Sequence, residues 1–229
     1  MTPDLPNDWG FPIWTDVPGS LATLDDGRYA TTTRGVTTWK LADDLDRYSA
    51  MLAVGRVDVV VETGTKWGGS ALWFEDQGVD VITVDIDGSN SKKRARKVSS
   101  CVTWLESDSR NAWVVEHVRE LLGHLGSPRV LVSLDAEHRF SHVAAEIQMW
   151  APLVSPGSYL VVEDGIFDLA PTRELQARGG NRIPDEGGPL RAIAWSAAHL
   201  GGLGFGRDAE IEQMSPLTHH VAGFWLRSA

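Results

Sequence analysis

Three observations predict an open, doubly wound α/β fold with a mostly parallel sheet. Short apolar runs alternate with segments of helical period along most of the chain. The runs are apolar at nearly every position, which requires cover on both faces of the sheet. Acidic residues follow run after run: Glu62, Asp85, Asp108, Asp135, Glu163 and Asp164. Ligands bind beyond the carboxyl ends of the strands in such a sheet, so these side chains share its functional edge.

The elements follow in order. Pro3, Pro6, Pro12 and Pro18 forbid a long helix in residues 1–30, and Trp9, Phe11 and Trp14 between them mark an arm lying on an apolar surface. That surface is the chain's own domain or a partner subunit, with a lid over the substrate site as the alternative. Leu41, Leu45, Tyr48, Met51 and Leu52 give a helical period that Gly55 ends. Val57–Val61 is a strand closed by Glu62. A glycine-rich turn leads into a helix over Ala71–Asp76, followed by a strand over Val79–Val84. Lys92–Lys97 is a basic helical stretch, Val102–Leu105 a third strand and Trp113–Leu125 a helix. Val130–Leu134 is the fourth strand. In the next helix, Ser141–Trp150, residues Val143, Ile147 and Trp150 share one stripe, and Pro152 and Pro156 stop it. Tyr159–Val162 is the fifth strand. The segment Gly179–Gly188 reads as a long loop and Leu190–Leu200 as a helix. Ala209–Gln213 and Val221–Leu226 read as an antiparallel pair completing the sheet.

Composition bounds the function. The chain has 229 residues, enough for one domain with one sizeable core, read as the arm 1–30 followed by a single domain 31–229. A formal charge of −10 opposes sequence-blind nucleic-acid binding. Lys92, Lys93, Arg94, Arg96 and Lys97 form the one basic patch, read as a solvated helix face. Cys101 is the only cysteine, which excludes an internal disulfide and a cysteine-based metal site. No apolar run reaches about 18 residues, and no basic leader precedes an apolar stretch. A cytoplasmic protein with no membrane partner is the expectation.

Two groups of residues carry chemistry. The first is the run Glu62-Thr63-Gly64-Thr65-Lys66-Trp67-Gly68-Gly69-Ser70, which leaves a strand and opens a helix. Its glycines allow a tight turn and close approach of a ligand, and the helix start offers free amides. It lacks the Gly-x-Gly-x-x-Gly dinucleotide fingerprint. Glu62 would repel a pyrophosphate and suits a positive amino group. Asp85, at the next strand end, suits a ribose diol, and Asp108 lies where adenine would be reached. This combination predicts a nucleoside cofactor without a diphosphate, S-adenosylmethionine. Its contacts are assigned to Glu62, Gly64, Thr65, Trp67, Gly69, Ser70, Asp85 and Asp108.

The second group is Asp135, Glu163 and Asp164, at neighbouring strand ends about 5 Å apart. Three converging carboxylates need a cation. A hard divalent ion fits, Mg²⁺ best, with Mn²⁺ or Ca²⁺ as alternatives. His138, three residues past Asp135, is placed to take a proton from a hydroxyl beside that metal. His142, one turn further on, is a candidate substrate or supporting contact or a packing residue. His117, His124 and His199 read as surface or packing residues.

These residues resemble a known family. Trp39 through Leu45 and Tyr48, Val59-Val60-Val61-Glu62-Thr63-Gly64-Thr65-Lys66-Trp67-Gly68-Gly69-Ser70-Ala71, Val84-Asp85-Ile86-Asp87, Leu134-Asp135-Ala136-Glu137-His138, the helix with His142, Val143 and Glu146, and the long block Pro152–Asp164 carry the resemblance. The chain from about residue 30 onward is similar to the cephalosporin hydroxylase and rhamnosyl O-methyltransferase family. The resemblance implies a Rossmann-like class I S-adenosylmethionine methyltransferase with a seven-stranded sheet. It further implies Mg²⁺-dependent methylation of a small-molecule hydroxyl in natural-product biosynthesis, and a possible homo-oligomer. By position it makes Asp135, Glu163 and Asp164 the metal ligands, with Asp135 also catalytic, and His138 the base.

The short arm departs from relatives with an added substrate domain. Among the 10 tryptophans, Trp14, Trp39, Trp67 and Trp150 are candidates for an acceptor pocket, with packing as the alternative. The acceptor is left open between a sugar, a phenol or catechol, and a modified amino acid or peptide. A nicotinamide oxidoreductase and a non-catalytic binding protein are the competing classes.

Overall fold

The computed structural model describes residues 9–88, 93–169 and 186–229. Lys92, Pro3, Pro6 and most of the loop Gly179–Gly188 lie outside the described residues. The N-terminal arm contains a helix, α1 (Val17–Asp25), despite its prolines. Pro18 sits in its first turn, where a missing N–H costs nothing, and the Asp16 carboxylate accepts from Gly19 N at 3.1 Å. The arm lies on its own chain: Trp9, Phe11 and Ile13 pack around Val17, Ile166, Leu190 and Val221.

A hairpin not foreseen from the sequence follows, β1 (Thr31–Thr33) and β2 (Val36–Thr38). Its two-residue turn is Arg34-Gly35, with φ of 49° and 71°. Paired positive φ values match the twist of a tight hairpin, but Arg-Gly is a weaker sequence signal than Asn-Gly.

The central sheet has seven strands in the order β5-β4-β3-β6-β7-β9-β8. β3 (Val59–Thr63), β4 (Asp80–Asp85), β5 (Val102–Glu106), β6 (Val130–Leu134) and β7 (Tyr159–Val162) run parallel. β9 (Phe224–Arg227) is antiparallel to β7, and β8 (Phe205–Arg207) is antiparallel to β9. Chain order reverses across β3, whose neighbours are β4 and β6, and a cleft opens at its carboxyl end.

Helices cover both faces. α2 (Ala42–Gly55) and α3 (Gly69–Asp76) set Tyr48, Met51 and Phe74 against Val60, Val81 and Leu131. On the opposite face, α5 (Ala112–His124), α6 (Phe140–Trp150) and α7 (Pro189–Gly202) set Val118, Ile147 and Ile193 with Val61, Val84 and Val132. Successive strand residues point to opposite apolar layers, which explains the unbroken apolar runs. Each such side chain stabilises the fold by about 1.5–3 kcal/mol when fully buried. The basic helix, α4 (Lys93–Val98), lies beside β5 and buries only Ala95.

The C-terminal expectation needs correction. Residues 209–213 are not a strand: Ala209–Glu212 forms a short helix, α8, and the edge strand lies earlier, at β8. The Asp208 carboxylate caps that helix, accepting from Glu210 N and Ile211 N at 3.0 and 3.1 Å. The expected strand over 221–226 is shortened to β9 because Ala222 takes a left-handed φ of 57° in a turn.

Candidate active site

The cofactor turn is built on steric necessity. Gly64 has φ of 79°, and a Cβ there would lie 1.8 Å from the Asp135 carbonyl oxygen. Only glycine lets the ends of β3 and β6 meet so closely. Lys66 N donates to Asp85 Oδ2 at 2.7 Å, and Asp87 N donates to Oδ1 at 2.8 Å. The Asp85 carboxylate is thereby fixed at the cleft. Gly64, Thr65, Trp67, Gly69, Ser70 and Asp85 all line one cavity of about 570 Å³. Gly69 also has a packing duty: a Cβ there would lie 2.1 Å from the Thr37 carbonyl oxygen of β2.

Two further expected cofactor contacts, Glu62 and Asp108, lie outside the lining of the larger cavity. Glu62 has no exposed surface, and its Oε2 accepts from the Thr83 hydroxyl at 2.9 Å while Oε1 has no hydrogen-bond partner. Burial pushes its carboxyl up to about 7, against the pull of Lys40. Asp108 lines a smaller adjoining cavity of about 290 Å³, beside Asp85 and His142. Its carboxylate is held by Arg110, through the backbone N at 2.9 Å and Nη2 at 2.8 Å. Those hydrogen bonds bring it down to about 2. His142 is buried, with Nε2 3.0 Å from Ser109 Oγ and Nδ1 3.2 Å from Glu137 Oε2.

The acidic centre lies beyond β6 and β7. His138 Nε2 is 3.4 Å from Asp135 Oδ1 and 3.2 Å from Asp164 Oδ2. Potential ligand atoms of Asp135, His138 and Asp164 lie within 4.8 Å of one another. Asp164 takes a φ of 60°, which an aspartate tolerates better than most residues, and this turns its side chain back toward His138. The His138 ring tilts against Phe167, with centroids 5.3 Å apart. Burial works against its imidazolium, but the hydrogen bond to Asp135 and the charge of Asp164 prevail and raise it to about 9.

Glu163 does not join this cluster. Lys40 Nζ lies 2.6 and 2.5 Å from its two oxygens and 3.1 Å from Asp135 Oδ2. Tyr48 and Ser133 hydroxyls donate to Glu163 Oε1 at 2.6 and 2.5 Å. His220 Nε2 stands 3.3 Å from Oε2, while His220 Nδ1 accepts from Asp164 N at 3.2 Å. Glu163 turns into the protein, while its neighbour Asp164 turns to the cavity. Burial and Asp135 push the Glu163 carboxyl up, while Lys40 and His220 pull the other way. Burial would lower Lys40, yet Glu163, Asp135 and Glu62 hold its ammonium above the usual lysine range. Asp135 stays below the carboxylate range because Lys40 and His138 outweigh its burial.

Sequence reasoning missed Lys40 and His220. Lys40 precedes a helix within the quoted resemblance, and nothing in its local pattern marks it as a partner of residues so far along the chain. Of the candidate tryptophans, Trp39 and Trp67 line the larger cavity. Trp150 is wholly buried in the core, and Trp14 stacks under the Arg207 guanidinium at 4.5 Å.

The sheet order and the cleft beyond β3 are those of a Rossmann-like α/β fold. The fold is shared with a solved CmcI structure described with Mg and SAM, at a TM-score of 0.61 and 21% identity, over 87% of this chain and 77% of that one. It is shared also with MycE, a methyltransferase of the mycinamycin biosynthetic pathway in complex with Mg, SAH and mycinamycin VI. There the TM-score is 0.51 at 18% identity, covering 80% of this chain and 49% of that one.

The chain belongs to the Rhamnosyl O-methyltransferase/CmcI family, whose model matches residues 27–228. It is 34% identical over 205 residues to a rhamnosyl O-methyltransferase of Mycobacterium tuberculosis, covering 86% of this chain and 78% of that protein. The counterpart from Mycobacterium leprae is 31% identical over 204 residues, covering 86% and 83%. The chain is thus an S-adenosylmethionine-dependent methyltransferase. No helix among the described residues is long and apolar enough to cross a membrane.

Proposed function

We propose that the protein transfers a methyl group from S-adenosylmethionine to a sugar hydroxyl of a small molecule, assisted by a divalent cation. One observation carries this reading. The turn Gly64–Ser70 with Asp85 and the trio Asp135, His138 and Asp164 line the same cavity. A donor methyl and an acceptor oxygen can therefore meet inside it. The sugar follows from the relatives called rhamnosyl O-methyltransferases. Trp39, Trp67 and Tyr29 on the cavity wall suit the apolar face of a sugar ring.

The donor set fits a metal. Asp135 and Asp164 each present a carboxylate oxygen to the cavity, which matches the one or two carboxylates that Mg²⁺ uses beside substrate oxygens. Mg²⁺ prefers oxygen to imidazole nitrogen, so His138 is kept for proton transfer. A divalent ion on this pair would supply positive charge that stabilises an ionised acceptor hydroxyl and offsets the carboxylates' hold on the His138 proton. The chain's residues do the remaining work. His138 Nε2 receives the acceptor proton, Asp135 and Asp164 orient that ring, and Phe167 packs against it. Asp85 orients the ribose, and the Gly64 turn lets the cofactor lie close to the backbone. Catalysis rests mainly on alignment of methyl and oxygen.

Calorimetry with S-adenosylmethionine, followed by a methyl-transfer assay on rhamnosylated and phenolic acceptors with and without Mg²⁺, tests the reading. Cofactor binding with Mg²⁺-stimulated transfer to the sugar supports it. Transfer to phenols alone, or transfer indifferent to chelator, overturns the acceptor or the metal part respectively.

A further inference from the structure

S-adenosylmethionine brings three charged groups to its cavity: a sulfonium, an ammonium and an α-carboxylate, which ionises well below pH 7. The larger cavity is rich in partners for the two cations, with Asp85, Asp87, Asp135 and Asp164 in its wall. Partners for the carboxylate are scarce. Among the described residues, the basic side chains on that wall are Lys40, Lys66, His138 and His219. All but one are committed elsewhere. Lys40 is 1% exposed, with Nζ between Glu163 and Asp135. His138 stands between Asp135 and Asp164. The His219 ring meets the Thr23 hydroxyl at 2.8 Å, and burial holds it below the usual histidine range. Lys66 is left. It is exposed, and its Nζ lies 3.7 Å from the centroid of the Trp39 ring, with no carboxylate in ion-pair range among the described residues. A solvated cation over an indole is held weakly, so a carboxylate can draw it away.

Lys66 is also fixed at its root. Its φ of 46° lies in the left-handed region that a lysine seldom adopts, and its N–H donates to Asp85 Oδ2 at 2.7 Å. That bond ties the lysine backbone to the carboxylate assigned to the ribose, so one turn carries both a ribose partner and a cation. We propose that Lys66 binds the methionine carboxylate of S-adenosylmethionine: its ammonium leaves the Trp39 ring and pairs with that group. The residue thereby selects S-adenosyl amino acids over adenosyl ligands that lack the acid. This rests on the reading of the larger cavity as the cofactor site, and it adds a residue outside the contacts assigned to that site.

The test is calorimetric titration of the full chain with S-adenosylmethionine and with decarboxylated S-adenosylmethionine, which differ by that carboxylate alone, so no turnover is needed. Wild type is compared with Lys66→Asn, since asparagine tolerates a left-handed φ, and with Lys66→Arg. Lys66→Asn is expected to bind S-adenosylmethionine about 10-fold more weakly, with the decarboxylated ligand within about threefold of wild type. Lys66→Arg keeps the charge and should hold both ligands within about threefold of wild type. Unchanged S-adenosylmethionine affinity in Lys66→Asn overturns the proposal. Equal losses for the two ligands also overturn it, because the turn rather than the carboxylate would then be the cause. An anionic acceptor is the other source of a carboxylate. A rise in acceptor KM in Lys66→Asn, with S-adenosylmethionine affinity intact, would assign the cation to the acceptor and overturn the proposal. Failure of the wild type to bind either ligand would sink the cofactor cavity as a whole, Lys66 included.

Discussion

The two ends of the cleft are organised in opposite ways. At the cofactor end, each acidic side chain is settled by nearby backbone or a near neighbour in sequence. Asp85 takes the amides of Lys66 and Asp87, and Asp108 takes Arg110 two residues on. At the acidic centre, partners come from far along the chain. Lys40 and Glu163 are 123 residues apart, and Tyr48 and Glu163 are 115 apart. The first arrangement leaves carboxylates at the cavity wall. The second buries one and spends an ammonium to keep it there. A strand-end carboxylate therefore has no fixed role, because its role depends on what the rest of the fold brings to it.

The strongest way to break this contrast is at the scaffold behind the centre. Asp44 is wholly buried, bonded to Arg47 at 3.0 Å, the Thr218 hydroxyl at 2.5 Å and His219 N at 3.0 Å. Asp44→Ala leaves the Arg47 charge buried without its carboxylate, and should cost about 3–5 kcal/mol in chemical denaturation. A loss under about 1 kcal/mol would mean that this half tolerates change as well as the cofactor half does.

Glu62 marks the boundary between the two ends. Its folded value near 7 exceeds the ordinary 4.5 because burial favours the neutral form. Below that ordinary value both folded and unfolded chains hold the proton, and the shift has no effect. As pH rises from about 4.5 to 7 the unfolded chain releases its proton first, so this group's contribution falls by roughly 3 kcal/mol. Glu62→Gln should remove that slope from the difference between variant and wild-type stabilities across the same window. Parallel stability curves for the two proteins would show that Glu62 is already ionised when folded.

His138→Ala sharpens the comparison from the catalytic side. Turnover should fall about 10²-fold or more, with the calorimetric affinity for S-adenosylmethionine unchanged. A variant that keeps full turnover would remove His138 as the base. The smallest effects belong to the cofactor end. Asp85→Ala should weaken S-adenosylmethionine binding about 10-fold, whereas Asp108→Ala, whose carboxylate already serves Arg110, should change it less than about threefold. Equal losses in a calorimetric titration would show that both carboxylates reach the cofactor.

Much of the fold was legible beforehand because its causes are local. Unbroken apolar strands, helical stripes such as Val143-Ile147-Trp150, and strand-end acids announce a parallel sheet with a cleft at one edge. Position errors arose where a cap or turn overrode propensity. Asp208 started a helical turn where Ala209–Gln213 read as strand, and Arg34-Gly35 made a hairpin from an unremarkable threonine-rich stretch.

The site divides along the same line. Periodicity and spacing alone determined that Gly64, Asp85, Asp135 and Asp164 stand at one rim, since each lies at the end of its strand or within two residues past it. Only the tertiary structure decided that Glu163 turns inward and Asp164 outward. That choice depends on Lys40, Tyr48 and His220 arriving from distant segments, and on the free energy of keeping a carboxylate dry only where a cation and hydrogen-bond donors already wait.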